Sequence, residues 1–508
     1  MNPRSLVLVT VDCLRTDRVG FRGYSQPLTP FLESLAKESI VFPVAIVAGA
    51  PTYFSFPAIM ASRYPLGLGR EVLGIAPGET TLATTLREAG YETGAFIAGN
   101  PYLSTRFGYD QGFRQFSDFL DSGLSAESVN LLPPVGTGWS KINRRLERLS
   151  RLTRATAAAY DELYFRYCQW RSGREDCSMD QLRRYPAADV VVSAAGAWLN
   201  ALSRQPFFLW IHLMDPHHPY YPPQEALQSL GISHVTPQRA RFLNSFWNRG
   251  DVSPKRLQHY RKEVMALYDA GVHWVDQQLS RLVGTLKASQ RWNDTVFVVT
   301  ADHGEEFLEH GSRYHSPDGL AEQLIRVPLL VHAGDGSTPG IVPGPFSLIH
   351  LTPTLLEAVG VDVPLSFRGR GLWRDISAGS GASHPAIVEC VEACNNPLSM
   401  ADRLGHRLMA VRDVDYKLVL RFGDSGEELY KLRDDSQESL QLPAGVETAE
   451  RVRLLQYARE HLRDSREHRD AGLALRSRLR EIRQRIERKS LTVGTSRHES
   501  AVEIDKHG

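Results

Sequence analysis

Five short apolar runs, Leu6 to Val11, Thr93 to Ala98, Phe207 to His212, Thr295 to Thr300 and Val327 to His332, recur between helical patterns. Continuous apolar character over so few residues, rich in β-branched and aromatic side chains, reads as a strand buried on both faces. Such strands alternating with helices predict an α/β fold built on a parallel sheet covered by helices on each side. In sheets of that kind the ligand crevice lies beyond the carboxyl ends of the strands. The polar residues directly after each run are therefore the first candidates for chemistry.

Composition narrows the class further. The chain has 508 residues, 42% of them hydrophobic and 23% charged, enough to bury a large core. A formal net charge of +1 provides no global field to recruit nucleic acid, so specificity must reside in a local site. The first apolar run is interrupted by Asp12 after about seven residues, too short for a membrane span or a signal core. Five scattered cysteines form no disulfide framework, which points to a reducing, cytoplasmic setting. Cys390 and Cys394, with no second pair, are a weak metal signature.

Residues 1–375 read as the main domain, with helical insertions at about 125–200 and 223–275 over the site or its rim. A smaller α+β unit is expected at 376–445, where Ile387-Val-Glu and Tyr416 to Arg421 read as strands. From 446 to 489 the chain is helical and Arg-rich, with Leu475, Leu479, Ile482 and Ile486 at 4, 3, 4 spacing. That face suits a cap on the body, a homo-oligomer contact or a surface for an anionic partner. Residues 490–508 are expected to be disordered.

Asp12 comes directly after the first run, and taken alone it could cap a helix. The run Val296 to Thr300 leads into Ala301-Asp302-His303-Gly304-Glu305. A carboxylate and an imidazole side by side at a strand end suit a divalent cation with oxygen and nitrogen ligands. Thr52, in Ala50-Pro-Thr-Tyr-Phe-Ser55, opens a predicted helix that ends near Tyr64-Pro65. A hydroxyl at a helix N-terminus beside a metal is a candidate nucleophile for a tetrahedral ester. Asp215-Pro-His217-His218-Pro219 presents two imidazoles in an extended loop. His310 and His315 come soon enough after Asp302-His303 to contact the ester oxygens.

These blocks resemble, in order, the sulfatase-like branch of the alkaline phosphatase superfamily. The segments that carry the likeness are Val11-Asp12-Cys13-Leu-Arg15-Thr-Asp17 with Gly23-Tyr24 and Thr29-Pro30; Ala50 to Ser55; Asp215 to Tyr220; Thr300 to Glu305 with Glu309-His310-Gly311; and Ile325-Arg326-Val-Pro328-Leu. A weaker likeness continues through Lys417-Leu-Val and Glu428-Leu-Tyr-Lys-Leu. The resemblance implies a large mixed, mostly parallel sheet sandwiched by helices, with a smaller C-terminal domain. It implies that Asp12, Asp302 and His303 bind one divalent metal ion, and that Cys13 stands where relatives place a further Asp, Asn or Gln ligand. Ca²⁺, Mn²⁺ and Zn²⁺ are all compatible with mixed Asp and His ligands, and coordination by Cys13 would favour zinc. His217 matches a histidine that contacts substrate or leaving group, and His315 one placed beside the transferred group. Arg15, Ser55, His218 and His310 are assigned to substrate binding.

The sulfatases of that branch oxidise a Cys or Ser to formylglycine within C/S-x-P-S/A-R. Here the block reads Thr52-Tyr-Phe-Ser-Phe56, and the methyl group on the threonine β-carbon prevents formation of the aldehyde. Direct attack by Thr52 on phosphorus is the expectation: a hydrolase or transferase acting on a phosphodiester, phosphomonoester or phosphonate ester of a small molecule, glycan or lipid. Sulfate-ester hydrolysis is the alternative, and a catalytically inactive binding or assembly protein the second.

Overall fold

The apolar runs do form strands, and three of them end level. In the computed structural model, which describes residues 4–70, 72–120, 146, 149–150, 152–172, 177–232, 234–334, 338–379 and 384–466, Ser5–Val11 lies between Phe207–Leu213 and Thr295–Ala301. Both pairings are parallel, and Val11 stands opposite Leu213 on one side and Ala301 on the other. Every residue of the three strands is buried, as their unbroken apolar character requires. The register makes the next residues neighbours: Asp12 N–H donates to Leu213 O at 2.8 Å, and Asp302 emerges on the opposite side.

Glu92–Ile97 and Gln115–Ser117 extend the sheet in parallel beyond Phe207–Leu213. At the other edge Leu329–His332 runs antiparallel to Thr295–Ala301, followed by Ile40–Val41 and Gly340–Ile341, which completes eight strands. The expected run Val327 to His332 is therefore divided. Pro328 has no N–H to give a ladder, and the chain breaks there: Arg326–Val327 instead pairs with Val44–Ile46 in a separate three-stranded sheet. The helix that Thr52 opens spans Thr52–Ala61 and stops earlier than expected. It is capped by Ser62 at φ 47°, whose hydroxyl donates to Ile349 O at 2.7 Å.

The boundaries of the expected insertions also shift. Ala188–Ala201 is a sheet-covering helix packed on Glu92–Ile97 and Phe207–Leu213, not rim structure. Arg154–Ser172 does lie outside the sheet, with Phe165 set edge-on to Phe246. The second insertion closes before Arg261, because Arg261–Ala288 is one helix of 28 residues that buries Val264, Leu267, Val275, Leu279, Leu282 and Leu286. Gly271 brings that helix against the site: a Cβ there would stand 2.5 Å from Asp215 O.

Ala386–Val391, Arg407–Arg412, Tyr416–Arg421 and Gly426–Lys431 form a four-stranded antiparallel sheet, including both segments expected as strands. Its two faces separate with the period of two that strands impose. Val388, Cys390, Leu408 and Ala410 join the main core, so Cys390 is a core residue. Ile387, Met409, Val411, Leu418 and Leu429 form a second cluster with Leu454 and Ala458 of the helix at 448–466. The start of the Arg-rich segment is thus a cap on the small sheet. Leu475, Leu479, Ile482, Ile486 and 490–508 lie outside the described residues. No helix among the described residues is long and apolar enough to cross a membrane.

The cap gives a stability test. Leu454 is 0% exposed, so Leu454→Ala should lose about 2–5 kcal/mol in chemical denaturation, the range for emptying a buried leucine site. Leu440→Ala, at a side chain 73% exposed, should stay within about 0.5 kcal/mol. Equal, small losses at both positions would show that the helix does not pack as described.

Candidate active site

Asp12 is fully buried at the end of its strand and held from behind. Its Oδ2 accepts from Asn100 Nδ2 at 3.0 Å and faces His212 Nε2 at 3.3 Å. The indole of Trp210 can only donate, and does so to Thr10 Oγ1 at 3.1 Å; Thr10 Oγ1 lies 2.9 Å from His212 Nδ1. With Thr10 giving its hydroxyl hydrogen to Nδ1, the Nε2–H of His212 points at Asp12 Oδ2. Oδ1 is left facing forward, 3.6 Å from His303 Nε2.

Asp302 and His303 meet that oxygen from the neighbouring strand. His303 Nδ1 lies 2.8 Å from Gly304 O; a carbonyl only accepts, so Nδ1 carries the hydrogen and the lone pair of Nε2 points inward. That lone pair faces Thr52 Oγ1 at 3.1 Å and Asp302 Oδ2 at 3.5 Å. Asp302 Oδ1 accepts from its neighbour's N–H, while Oδ2 is buried with no protein partner. Burial and the charge of Asp12 push the Asp302 carboxyl up. Burial also opposes ionisation of Asp12, but His217, His212 and His303 outweigh it and hold that carboxyl well below the usual range.

Two carboxylate oxygens and an imidazole lone pair crowded together in a dry interior repel one another, and an orphaned buried oxygen costs free energy on its own. A divalent cation removes both penalties, so the residues fit one. Among the described residues, donor atoms within 4.8 Å of one another form three groups: Asp12, Cys13 and His303; Asp12, His212 and Asp302; and Cys13, His217 and His315. Cys13 occupies the left-handed region at φ 61°, with Sγ 3.1 Å from Asp12 Oδ1 and 3.4 Å from His315 Nδ1. Burial, then the charges of Glu305, Asp12 and Asp302, push its thiol well up.

Thr52 is the first helical residue, preceded by Pro51, whose carbonyl takes the N–H groups of Phe54 and Ser55. Helix geometry leaves the first amides without intrahelical partners, a setting that favours negative charge. Thr52, His217 and His315 line one pocket of about 400 Å³, together with Tyr53, Tyr102 and Arg313. The imidazoles of His217 and His315 lie 5.0 Å apart but differ in character. Burial pushes His217 down to about 4. Burial opposes the charged form of His315 too, but Glu305, whose Oε2 lies 3.2 Å from Nδ1, prevails and raises it.

Four expected substrate contacts are placed elsewhere. His310 bonds Glu306 at 3.0 Å and the carbonyl of Gln437 at 2.9 Å, because the hairpin pairing Glu306–Phe307 with Arg313–Tyr314 turns the intervening loop towards the C-terminal unit. Arg15 spends its guanidinium on Asp17, Glu309 and the carbonyl of Glu305, at 2.7–2.8 Å, so it braces the metal loop from behind. Ser55 turns back to Thr52 O at 3.2 Å and does not line the pocket. His218 packs on the Tyr314 ring, at 4.3 Å between centroids, beside the pocket and not in its wall. Three residues join the site that the sequence reading does not single out. Asn100 comes after the strand Glu92–Ile97 and obeys the same rule as Asp12. Glu305 stands inside a quoted motif. His212 lies within a strand, where a search for residues after strands does not reach.

Known proteins resemble this chain in sequence and in fold. The Sulfatase family model matches residues 4–361. Choline-sulfatase of Rhizobium meliloti is 26% identical over 46% of this chain and 46% of its own length, so the match spans about half of that relative. The multifunctional alkaline phosphatase superfamily protein PehA of Trinickia caryophylli is 22% identical over 75% of this chain and 78% of its own. Among solved structures, a phosphonate monoester hydrolase from Silicibacter pomeroyi superposes with a TM-score of 0.64 at 18% identity, covering 92% of this chain and 96% of that one, which shows the shared fold. With a family match over most of its length, the chain belongs to the sulfatase family.

Proposed function

We propose that this chain cleaves a phosphodiester, phosphomonoester or phosphonate ester, by hydrolysis or transfer, through a covalent phospho-Thr52 intermediate. The observation that carries the reading is the placement of Thr52 Oγ1, 3.1 Å from the inward lone pair of His303, in the wall of the pocket and at a helix N-terminus. Asp12, Asp302 and His303 would hold a divalent cation, which would supply a lowered hydroxyl pKa and charge stabilisation at the ester. Thr52, its hydroxyl proton released to solvent, attacks phosphorus in line, the bond to the leaving group breaks, and the first helix amides favour the equatorial negative charge. His315, whose protonated form Glu305 favours against the opposing effect of burial, gives its proton to the departing oxygen. His217, neutral by burial, faces the same space and is suited to accept the proton of the water or alcohol that then attacks phospho-Thr52.

A sulfated threonine has no easy hydrolytic exit, which is why the threonine favours phosphorus. The second reading, sulfate-ester hydrolysis, draws on the family and on relatives named as sulfatases. The proposal includes a small-molecule, glycan or lipid ester as substrate and a reducing, cytoplasmic location, supported by five cysteines that are all free thiols.

With Mn²⁺ or Zn²⁺ added, the protein should hydrolyse bis-p-nitrophenyl phosphate faster than p-nitrophenyl sulfate, and Thr52→Ala should lower kcat at least about 10³-fold without moving Tm. Retained turnover in Thr52→Ala would eliminate the nucleophile, preference for the sulfate would install the second reading, and no turnover of either ester would leave a binding protein. The proton donor has its own test. A raised imidazole holds its proton above the ordinary value of 6.5, so activity that needs it is present below that value and lost as pH rises through the raised one. Glu305→Gln should therefore move the alkaline limb of kcat/KM to lower pH, and an unmoved limb removes His315 as the donor.

A further inference from the structure

We infer that Arg313 is a specificity-determining residue that binds a second anionic group, a carboxylate or a phosphate, carried on the leaving-group side of the ester. The inference rests on the proposed function, in which His315 protonates the departing oxygen, and names the class of substrate that the pocket takes.

Arg313 and His315 are two residues apart at the end of the hairpin strand Arg313–Tyr314, roughly 7 Å along an extended chain. In a regular strand the side chain between them would turn to the opposite face. Here Tyr314 stands in the left-handed region at φ 67°, and Arg313, Tyr314 and His315 all line the pocket. A non-glycine residue in that region costs free energy and persists only where its surroundings hold it. The break in alternation brings a guanidinium to the wall that carries the proton donor.

That guanidinium is fixed on one side only. Nη1 donates to the carbonyls of Trp247 and Arg249, the latter at 3.2 Å. Nε and Nη2 have no acceptor among the described residues, and no carboxylate there pairs with the group. Arg15, by contrast, meets the carboxylates of both Asp17 and Glu309. Nε and Nη2 together form an edge with which arginine grips a carboxylate or phosphate through two parallel hydrogen bonds. Among the described residues the pocket wall carries no Asp or Glu to compete for it. Burial, then the charges of His217, Arg184, His315 and Arg313, hold the adjoining His218 imidazole well down, as a cationic surround requires. Tyr53, Tyr102, Tyr185 and Tyr314 also line the pocket and suit the ring of an aryl or sugar leaving group.

Methyl 4-carboxyphenyl phosphate and methyl 4-carbamoylphenyl phosphate differ in one charge, and the carbamoyl group makes its phenol the better leaving group. Chemistry alone therefore favours the carbamoyl ester. With Mn²⁺ or Zn²⁺ added, the full-length protein should nonetheless show a kcat/KM at least about tenfold higher for the carboxy ester, the scale of a charge-assisted contact. Arg313→Gln should bring that ratio to one or below, and Arg313→Lys, which keeps the charge without the fork, should retain only part of it. A phosphate on the same ring in place of the carboxylate ranks the two anions: preference for either over the carbamoyl ester supports the inference, and the larger ratio names the group. Calorimetric titration with 4-hydroxybenzoate reads the contact without turnover, and it should bind at least about tenfold more tightly than 4-hydroxybenzamide in the parent chain but not in Arg313→Gln. No discrimination in the parent chain, equal loss of both esters in Arg313→Gln, or full discrimination kept in Arg313→Lys overturns the inference and leaves Thr52 chemistry standing. Selective binding of 4-hydroxybenzoate without turnover of any ester removes Thr52 chemistry and leaves the anion site at Arg313.

Discussion

Three electron-rich atoms, Asp12 Oδ1, Asp302 Oδ2 and His303 Nε2, are crowded to within 3.5–3.6 Å across neighbouring pairs in an interior that excludes water. The rest of the site exists to hold that crowding in place. Register aligns the two strand ends, so the carboxylates cannot drift apart without shearing a fully buried parallel ladder. Behind them, Asn100 and the Trp210, Thr10 and His212 chain take up Asp12 Oδ2, and Gly304 O takes up the outer nitrogen of His303. The outward-facing polar atoms are satisfied, and Asp302 Oδ2 is left buried without a partner beside His303 Nε2.

The same electrostatics separate two imidazoles that share a pocket. His217 and His315 have centroids 5.0 Å apart and are both half-buried, yet only His315 has a carboxylate against its ring. Glu305 is in turn placed by Arg15, which grips its carbonyl while paired to Asp17 and Glu309. Arg15 thus reaches the chemistry through the backbone of the metal loop. That explains how an arginine in a motif at the strand end can matter without touching a substrate.

The small C-terminal sheet is part of the machinery's frame and not an appended module. Glu389 N–H bonds Ala48 O just before the helix that Thr52 opens, its carboxylate accepts from Leu66 N–H beyond that helix, and His461 of the capping helix meets the same carboxylate at 3.2 Å. Burial works against the charge on Glu389, but the hydrogen bond and charge of His461, with Arg407, keep its carboxyl low. Tyr53, next to Thr52, donates its hydroxyl to the carbonyl of Cys394. Thr52 is therefore clamped from both ends of its helix by residues more than 300 positions away.

Sequence alone dictated the strands and the polar residues at their ends: apolar runs can only be satisfied by burial on both faces, and a polar residue closing such a run must meet a crevice or a partner. Asp12, Asp302 and His303 stood out for that reason, whereas Thr52 stood out as a hydroxyl opening a helix and His217 and His315 from the loops that carry them. Packing in three dimensions settled the features that pattern cannot encode. Pro328 divided one apolar run between two sheets, and the 28-residue helix crossed an expected boundary, since helices are placed by the surface they cover. His310, Arg15 and Ser55 found partners in other segments or turns, and His212, hidden inside a strand, became the brace of Asp12. Hydrogen bonds and charges act over a few ångströms of space, so which residues they join is known only once the chain has brought distant segments together.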